Sequence, residues 1–266
     1  MLYNTGKRMR FRRLIDQDTG ALMIVPMDHG YTYGPIKGLK NMPFVVDQVC
    51  QGGASAVLVH KGLVRSLTNV IPPQTGLMVH VSGSTTLSPN TNYKILTGTV
   101  SEVLTLGADA ISCHVNIGNE DDVNMLEDLS KLSEEANDFG TPLLSMTYVR
   151  DSKGVTDRSV DGLAHAARVT EELGADIVKI YPTVDGIDFD GVLQGINIPV
   201  VIAGGNYNED IGEFLKTIKR CIEAGASGVS IGRNIFQSKD PQNAMRMVKE
   251  AIKETIEDVG RIEILS

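Results

Sequence analysis

In the stretch "ADIVKIYPT", residues 175–183, a lysine interrupts an apolar run: Lys179 is flanked by Ile177, Val178 and Ile180. Burying a lone ammonium group is costly, so such a lysine either reaches a wet edge or gives up its proton. At the ordinary pKa of about 10.4, only a few lysines in ten thousand are neutral at pH 7. Desolvation that lowers the value by about 3, at a cost near 4 kcal/mol, makes the amine a nucleophile toward ketones. The iminium it forms is an electron sink for carbon–carbon bond chemistry. The alternative is a lysine that snorkels to solvent or pairs with an acid such as Asp28, and position alone leaves both readings open.

Schiff-base chemistry also needs a proton shuttle. Tyr148 in "MTYVR" and Asp28 in "PMDHG" are the candidate acid and base, against the plainer reading of packing for the tyrosine and an orienting contact for the aspartate. Lys61 in "VHKG" rivals Lys179 but is the last residue of its apolar run, which suits a solvated anion contact. With Arg65 in the following loop, it offers two cations for a carboxylate. "AGGN" and "IGRN" place Gly204, Gly205, Gly232 and Arg233 where backbone N–H groups and a guanidinium can receive an anion.

The elements that position these residues come from a repeat. "CQGGASAVLVHKG", "LTLGADAISCHV", "EELGADIVKIY" and "IEAGASGVSIGRN" each read as a helix end, a glycine, a small residue and a strand. They alternate with "TGALMIVPMDHG", "TGLMVHVS", "TPLLSMTYV" and "IPVVIAGG". The result is eight apolar strands near residues 21–27, 55–61, 77–82, 109–115, 142–148, 175–181, 199–204 and 228–232. Runs rich in Val, Ile and Leu suit a parallel sheet covered on both faces, and eight βα units in this length predict an α/β fold, the (β/α)8 TIM barrel. A doubly wound dinucleotide fold is disfavoured because "PMDHGYTYG" does not fit GxGxxG. No linker divides the chain, so residues 1–266 are expected to form a single domain, opened by a capping helix. The basic cluster Lys7, Arg8, Arg10, Arg12 and Arg13 is read as a solvated helix face, and the Pro72–Pro73 pair predicts an irregular loop after the second strand.

Active sites of such barrels lie at the C-terminal strand ends. Those ends carry Asp28 and His29, His60 and Lys61, His80 and Ser82, His114 and Asn116, Tyr148 and Arg150, Lys179 and Tyr181, Gly204 and Gly205, then Gly232 and Arg233. Alternation turns Val178 and Ile180 to the outer helices, and Ile177, Lys179 and Tyr181 to the barrel interior. The last two strand ends are where this fold commonly holds phosphate. His29, His60, His80 and His114 raise the alternative of a metal-dependent hydrolase or aldolase, but "MDHG" lacks the His-x-His with which barrel zinc sites often begin. His165 lies in a helical segment and is read as structural.

A net charge of −8 with a pI near 5.2 argues against a nucleic-acid partner. No run approaches the roughly 20 apolar residues of a membrane helix. Three cysteines without paired spacing, Cys50, Cys113 and Cys221, support neither a disulfide framework nor a zinc ribbon, and the chain is read as cytoplasmic.

Taken together, "VPMDHGYTYGPIKGL", "AVLVHKGLVR", "HVSGSTTLSPN", "HVNIG", "ADIVKI", "AGG" and "GVSIGRNIFQ" resemble the archaeal-type class I aldolases of the DhnA/DeoC/LacD kind. That family combines fructose-bisphosphate aldolases with 2-amino-3,7-dideoxy-D-threo-hept-6-ulosonate synthases, and the motifs look closer to the synthase branch. The resemblance implies Lys179 as the Schiff-base residue, Tyr148 as proton donor and Asp28 as proton acceptor. It implies ligand contacts from Asp28, His29, Gly30, Tyr31 and Thr32, from Tyr148, Val149 and Arg150, from Gly204 and Gly205, and from Gly232 and Arg233. It implies neither metal nor cofactor, a phosphorylated keto-sugar donor, a small aldehyde acceptor and a homo-oligomer, a decamer being one form. The chain departs from the family in "YVRDSKG", in "YPTVDG", and at Asn206 and Tyr207, where the family usually carries Pro-Lys after the paired glycines. Those departures bear on the donor rather than on the catalytic lysine.

Overall fold

The computed structural model describes residues 4–260. Eight strands follow one another around a closed parallel barrel: β1 (Leu22–Pro26), β2 (Ala56–His60), β3 (Gly76–His80), β6 (Ala110–Ile117), β7 (Leu143–Val149), β8 (Ile177–Ile180), β9 (Val200–Ala203) and β10 (Gly228–Ser230), with β10 closing on β1. A short hairpin, β4 (Ser82–Gly83) with β5 (Ile95–Leu96), stands apart on the loop after β3. Helices α1 (Thr5–Phe11), α2 (His29–Tyr33), α3 (Met42–Gln51), α4 (Lys61–Leu67), α5 (Val100–Thr105), α6 (Asp122–Asp138), α7 (Val160–Glu172), α8 (Phe189–Leu193), α9 (Ile211–Glu223), α10 (Arg233–Phe236) and α11 (Pro241–Val259) complete the chain. The eight strands lie where the repeat places them, and two of its helix-ending glycines, Gly107 and Gly174, have φ of 83° and 86°, a backbone region costly for a residue with a Cβ.

Two apolar layers follow from strand alternation. Met23, Val25, Val57, Val59, Val178 and Ile180 face the helices, while Leu22, Ile24, Leu58, Met78, Leu144, Ile177 and Val201 fill the barrel. Helix α1 closes the N-terminal end of that interior, with Phe11 and Leu14 entering it. This is the expected capping helix, but its basic face is not simply solvated. Lys7 is buried and pairs with Asp176 at 2.8 Å; Arg13 pairs with Asp109, and Arg10 donates to the Gly140 carbonyl at 2.8 Å. Asp176 and Asp109 also accept from the Leu143 and Leu77 backbone N–H groups, so the cations tie the plug to the lower ends of the strands. A second correction concerns the segment after β2, which begins as the two-turn helix α4. Pro72 and Pro73 fall beyond its end and therefore leave it intact.

Candidate active site

At the C-terminal strand ends lies a cavity of about 110 Å³ lined by residues from seven of the eight barrel strands or the loops that follow them, all but β9. Lys179 is on its floor, 6% exposed, with Nζ 3.8 Å from Met146 Sδ. Register explains the contact: Met146 is the β7 partner of Lys179, and Tyr148 lies one pleat further up the same face. Among the described residues no carboxylate forms an ion pair with Lys179, which removes the pairing alternative. Burial pushes its ammonium down to about 8, with Asp28 opposing and Arg233 adding to the effect. An amine with that midpoint is neutral in roughly a tenth of molecules at pH 7, roughly two hundredfold more than an ordinary lysine.

Tyr148 is equally buried, its ring 4.6 Å from that of Tyr181 and 5.0 Å from that of His114, with the Arg150 guanidinium 5.3 Å from its centroid. Burial, reinforced by Tyr181, raises the phenol well above its usual range, so it enters any reaction as an acid carrying its proton. Asp28 follows the first barrel strand by two residues, at the N-cap position of α2, but its side chain does not cap that helix. Burial works to raise the carboxyl, but His29, His80, Lys179 and His60 together outweigh it and hold Asp28 below the ordinary carboxylate range. Its Oδ1 is buried without a hydrogen bond and 3.5 Å from His29 Nδ1, which leaves an anionic oxygen available as a base.

The four strand-end histidines meet here as neutral rings. Burial lowers His29, His60 and His114, and pushes His80 down to about 3. His60 Nδ1 donates to the His80 carbonyl at 3.1 Å, His80 Nδ1 is 2.8 Å from Ser112 Oγ, and His114 Nε2 donates to Asn116 Oδ1 at 2.9 Å. Those three rings are oriented by a hydrogen bond, whereas His29 Nδ1 is buried without one, and among the described residues no three His, Cys, Asp or Glu side chains converge as metal ligands. His165 projects from the exposed face of α7.

On the β10 side, Arg233 lines the cavity, donates to Asn206 Oδ1 at 2.6 Å and keeps a buried Nε without a partner. Gly204 and Gly205 line an adjoining groove of about 640 Å³ that meets the cavity at Tyr181. Gly232 is fixed by close approach: a Cβ there would fall 2.6 Å from the Pro26 carbonyl oxygen and 2.8 Å from His29 Cε1. Where the family's Pro-Lys is replaced, Lys37 Nζ sits 5.4 Å from the Tyr207 ring, a cation delivered by a different loop.

Residues 22–238 match the family model described as DeoC/LacD family aldolase. The chain belongs to that family. This aldolase is 42% identical over 241 residues to 2-amino-3,7-dideoxy-D-threo-hept-6-ulosonate synthase 1 of Archaeoglobus fulgidus, covering 91% of this chain and 88% of that protein. It is 34% identical to 2-amino-4,5-dihydroxy-6-oxo-7-(phosphonooxy)heptanoate synthase of Streptomyces griseus, covering 89% and 86%. Among solved structures it resembles an archaeal fructose-1,6-bisphosphate aldolase whose catalytic Lys is covalently bound to the carbinolamine intermediate of the substrate, at 27% identity, a TM-score of 0.84, and coverage of 93% and 99%. The protein is an enzyme of the class I, Schiff-base type.

The aldolase brings Asp28, His29, Thr32, Tyr148, Arg150, Lys179 and Arg233 to one cavity, and it keeps others out. Lys61 pairs with Glu102 at 2.8 Å on the first turn of α4 and does not line the cavity; Arg65 is exposed on the same helix. Tyr31 lies on His60 with centroids 5.0 Å apart, and neither it nor Gly30, Val149 or Gly232 lines the cavity. Four lining residues carry no sequence signal strong enough to find them: Tyr33, Gly83, Met146 and above all Lys94, which comes from the loop "SPNTNYKILTG". A loop has no periodicity from which a direction can be read. The only available hint was a lysine set between Tyr93 and Ile95.

Proposed function

We propose that Lys179 is the Schiff-base residue, with Tyr148 donating and Asp28 accepting the proton. The observation that carries this is a buried lysine, its midpoint brought near 8, sharing one cavity with a protonated tyrosine and an unpartnered carboxylate oxygen. Neutral Lys179 adds to the donor ketone and water leaves to form the iminium. Loss of a β-hydroxyl proton then breaks the adjacent carbon–carbon bond, leaving an enamine. Attack of the enamine on an aldehyde, protonation of the new alkoxide and hydrolysis of the iminium release product and free lysine. Asp28, His29, Gly30, Tyr31 and Thr32, then Tyr148, Val149 and Arg150, make up the donor and acceptor contacts. Gly204, Gly205, Gly232 and Arg233 form the phosphate end. No metal or cofactor takes part.

The relatives' product names support a choice of substrates. In a 2-amino-3,7-dideoxy-hept-6-ulosonate the ketone is carbon 6, so an aldol bond joins carbon 5 to the hydroxyl-bearing carbon 4. Carbons 1–4 then arrive as aspartate semialdehyde, and carbons 5–7 as a three-carbon keto unit taken from a phosphorylated keto sugar. The same reading of the 7-(phosphonooxy) product yields the same aldehyde and a three-carbon ketone that keeps its phosphate. The acceptor is common to both relatives, and we assign it to this chain, acting as a transaldolase of the synthase type in aromatic amino-acid biosynthesis. Three unpaired cysteines suit a cytoplasmic setting. We take the chain as one domain, residues 1–266, working as a homo-oligomer; residues 1–3 and 261–266 of that span lie outside the described residues.

Borohydride reduction in the presence of candidate ketose phosphates is the test. It should add the mass of the keto unit to the peptide bearing Lys179, and aspartate semialdehyde should accelerate donor consumption and yield an amino-keto acid. Label on another lysine refutes the assignment. Efficient fructose 1,6-bisphosphate cleavage with indifference to aspartate semialdehyde replaces transfer with simple aldol cleavage, the reaction of the solved archaeal neighbour.

A further inference from the structure

One buried cation has no place in the chemistry above. Lys94 is 7% exposed and lines the cavity, yet among the described residues it has no carboxylate partner. Its Nζ donates to Ser84 Oγ at 2.5 Å and to the Thr91 carbonyl at 2.6 Å. An ammonium has three N–H donors, so these fixed neighbours leave one unspent. Arg150 lines the same cavity with its Nε buried and unpartnered. Burial, with the Arg150 charge adding to it, pushes the Lys94 ammonium down to about 8. Two cations lining one cavity, with donors left over, form a pair that an incoming anion would relieve.

Topology shows which anion. Around the barrel the order is β1, β2, β3, β6, β7, β8, β9, β10, so the loop after β3 that carries Lys94 is four strands from β9 in either direction, diametrically opposite Gly204 and Gly205. The phosphate end of the donor and Lys94 therefore lie on opposite sides of the cavity mouth. A seven-carbon product with a phosphate beside its ketone at one end, as in the 7-(phosphonooxy) product, and an amino-acid carboxylate at the other calls for a positive contact on each side. Lys61, the cation that the sequence offers for that carboxylate, is occupied by Glu102.

We propose that Lys94, together with Arg150, binds the carboxylate of the acceptor aldehyde and selects an α-amino acid aldehyde over an aldehyde lacking that group. This rests on the transfer reading above. The readout is a ratio: kcat/KM for aspartate semialdehyde divided by kcat/KM for 3-aminopropanal, which is the same molecule without its carboxylate. A hydrogen bond to a charged group is worth about 10- to 100-fold in such a ratio, so Lys94→Met should lower it by about that factor and Lys94→Arg should restore part of it. If Lys94 were merely structural, its loss would slow both aldehydes alike and leave the ratio unchanged, which overturns the subsite while wild-type transfer stands. Failure of the wild-type enzyme to consume aspartate semialdehyde at all removes the transfer reading and the subsite together. A ratio that falls in Lys94→Met and recovers in Lys94→Arg supports the carboxylate contact.

Discussion

Replacing Lys179 should stabilise the fold. Lys179 is buried with no hydrogen-bonding oxygen beside it among the described residues, and burial pushes its ammonium down from 10.5 to about 8. Holding that group protonated inside the barrel at pH 7 therefore costs about 3 kcal/mol relative to the unfolded chain, at 1.36 kcal/mol per pH unit. Lys179→Met removes the charge and keeps the volume. Because Asp28 loses a favourable charge at the same time, the net gain expected at pH 7 is about 1–3 kcal/mol. The sign with pH is fixed by linkage. Between about 8 and 10.5 the unfolded wild type holds more protons on this lysine than the native state does, so wild-type stability rises with pH across that interval. The advantage of Lys179→Met is fully present below about 8 and shrinks above it, by roughly half or more at pH 9.5. Urea unfolding of both proteins at equal concentration, at pH 7 and 9.5, measures this directly, with borohydride trapping lost in the variant. A variant no more stable than wild type at pH 7, or an advantage that does not change with pH, would refute a desolvated Lys179.

Tyr148→Phe should retain Schiff-base trapping at Lys179 while slowing turnover by roughly 100- to 10,000-fold, as the loss of a positioned acid does; steady-state rates close to wild type would reduce Tyr148 to packing. Lys7→Ala should lower stability by about 3–5 kcal/mol, because it leaves Asp176 charged and nearly buried beneath the barrel. Thermal unfolding reads that loss, and KM values for both substrates should not move, since the pair lies at the end of the barrel opposite the cavity.

The barrel itself was legible in the chain because its signals are local and repeated. Glycine after a helix, a small residue and a β-branched run recur often enough to count the strands, and alternation within a strand assigns Lys179 to the interior without any knowledge of its neighbours. Strand ends likewise marked Asp28, Tyr148 and Arg233, since in this architecture each strand points the same way. What the sequence could not carry was the partner of each charge. Lys7 and Lys61 look alike as exposed cations in one dimension. Folding gives Lys7 to Asp176, 169 positions away, and Lys61 to Glu102, 41 positions away. Lys94 looked like loop filler and became a cavity wall, because the hairpin of β4 and β5 folds its loop over the mouth of the barrel. Ion pairing and burial are decided by distances between segments remote in sequence, and no periodicity encodes those distances. The chain alone therefore determined the scaffold and the inward-facing position of Lys179, while tertiary structure decided which cations were paired with carboxylates and which face the cavity.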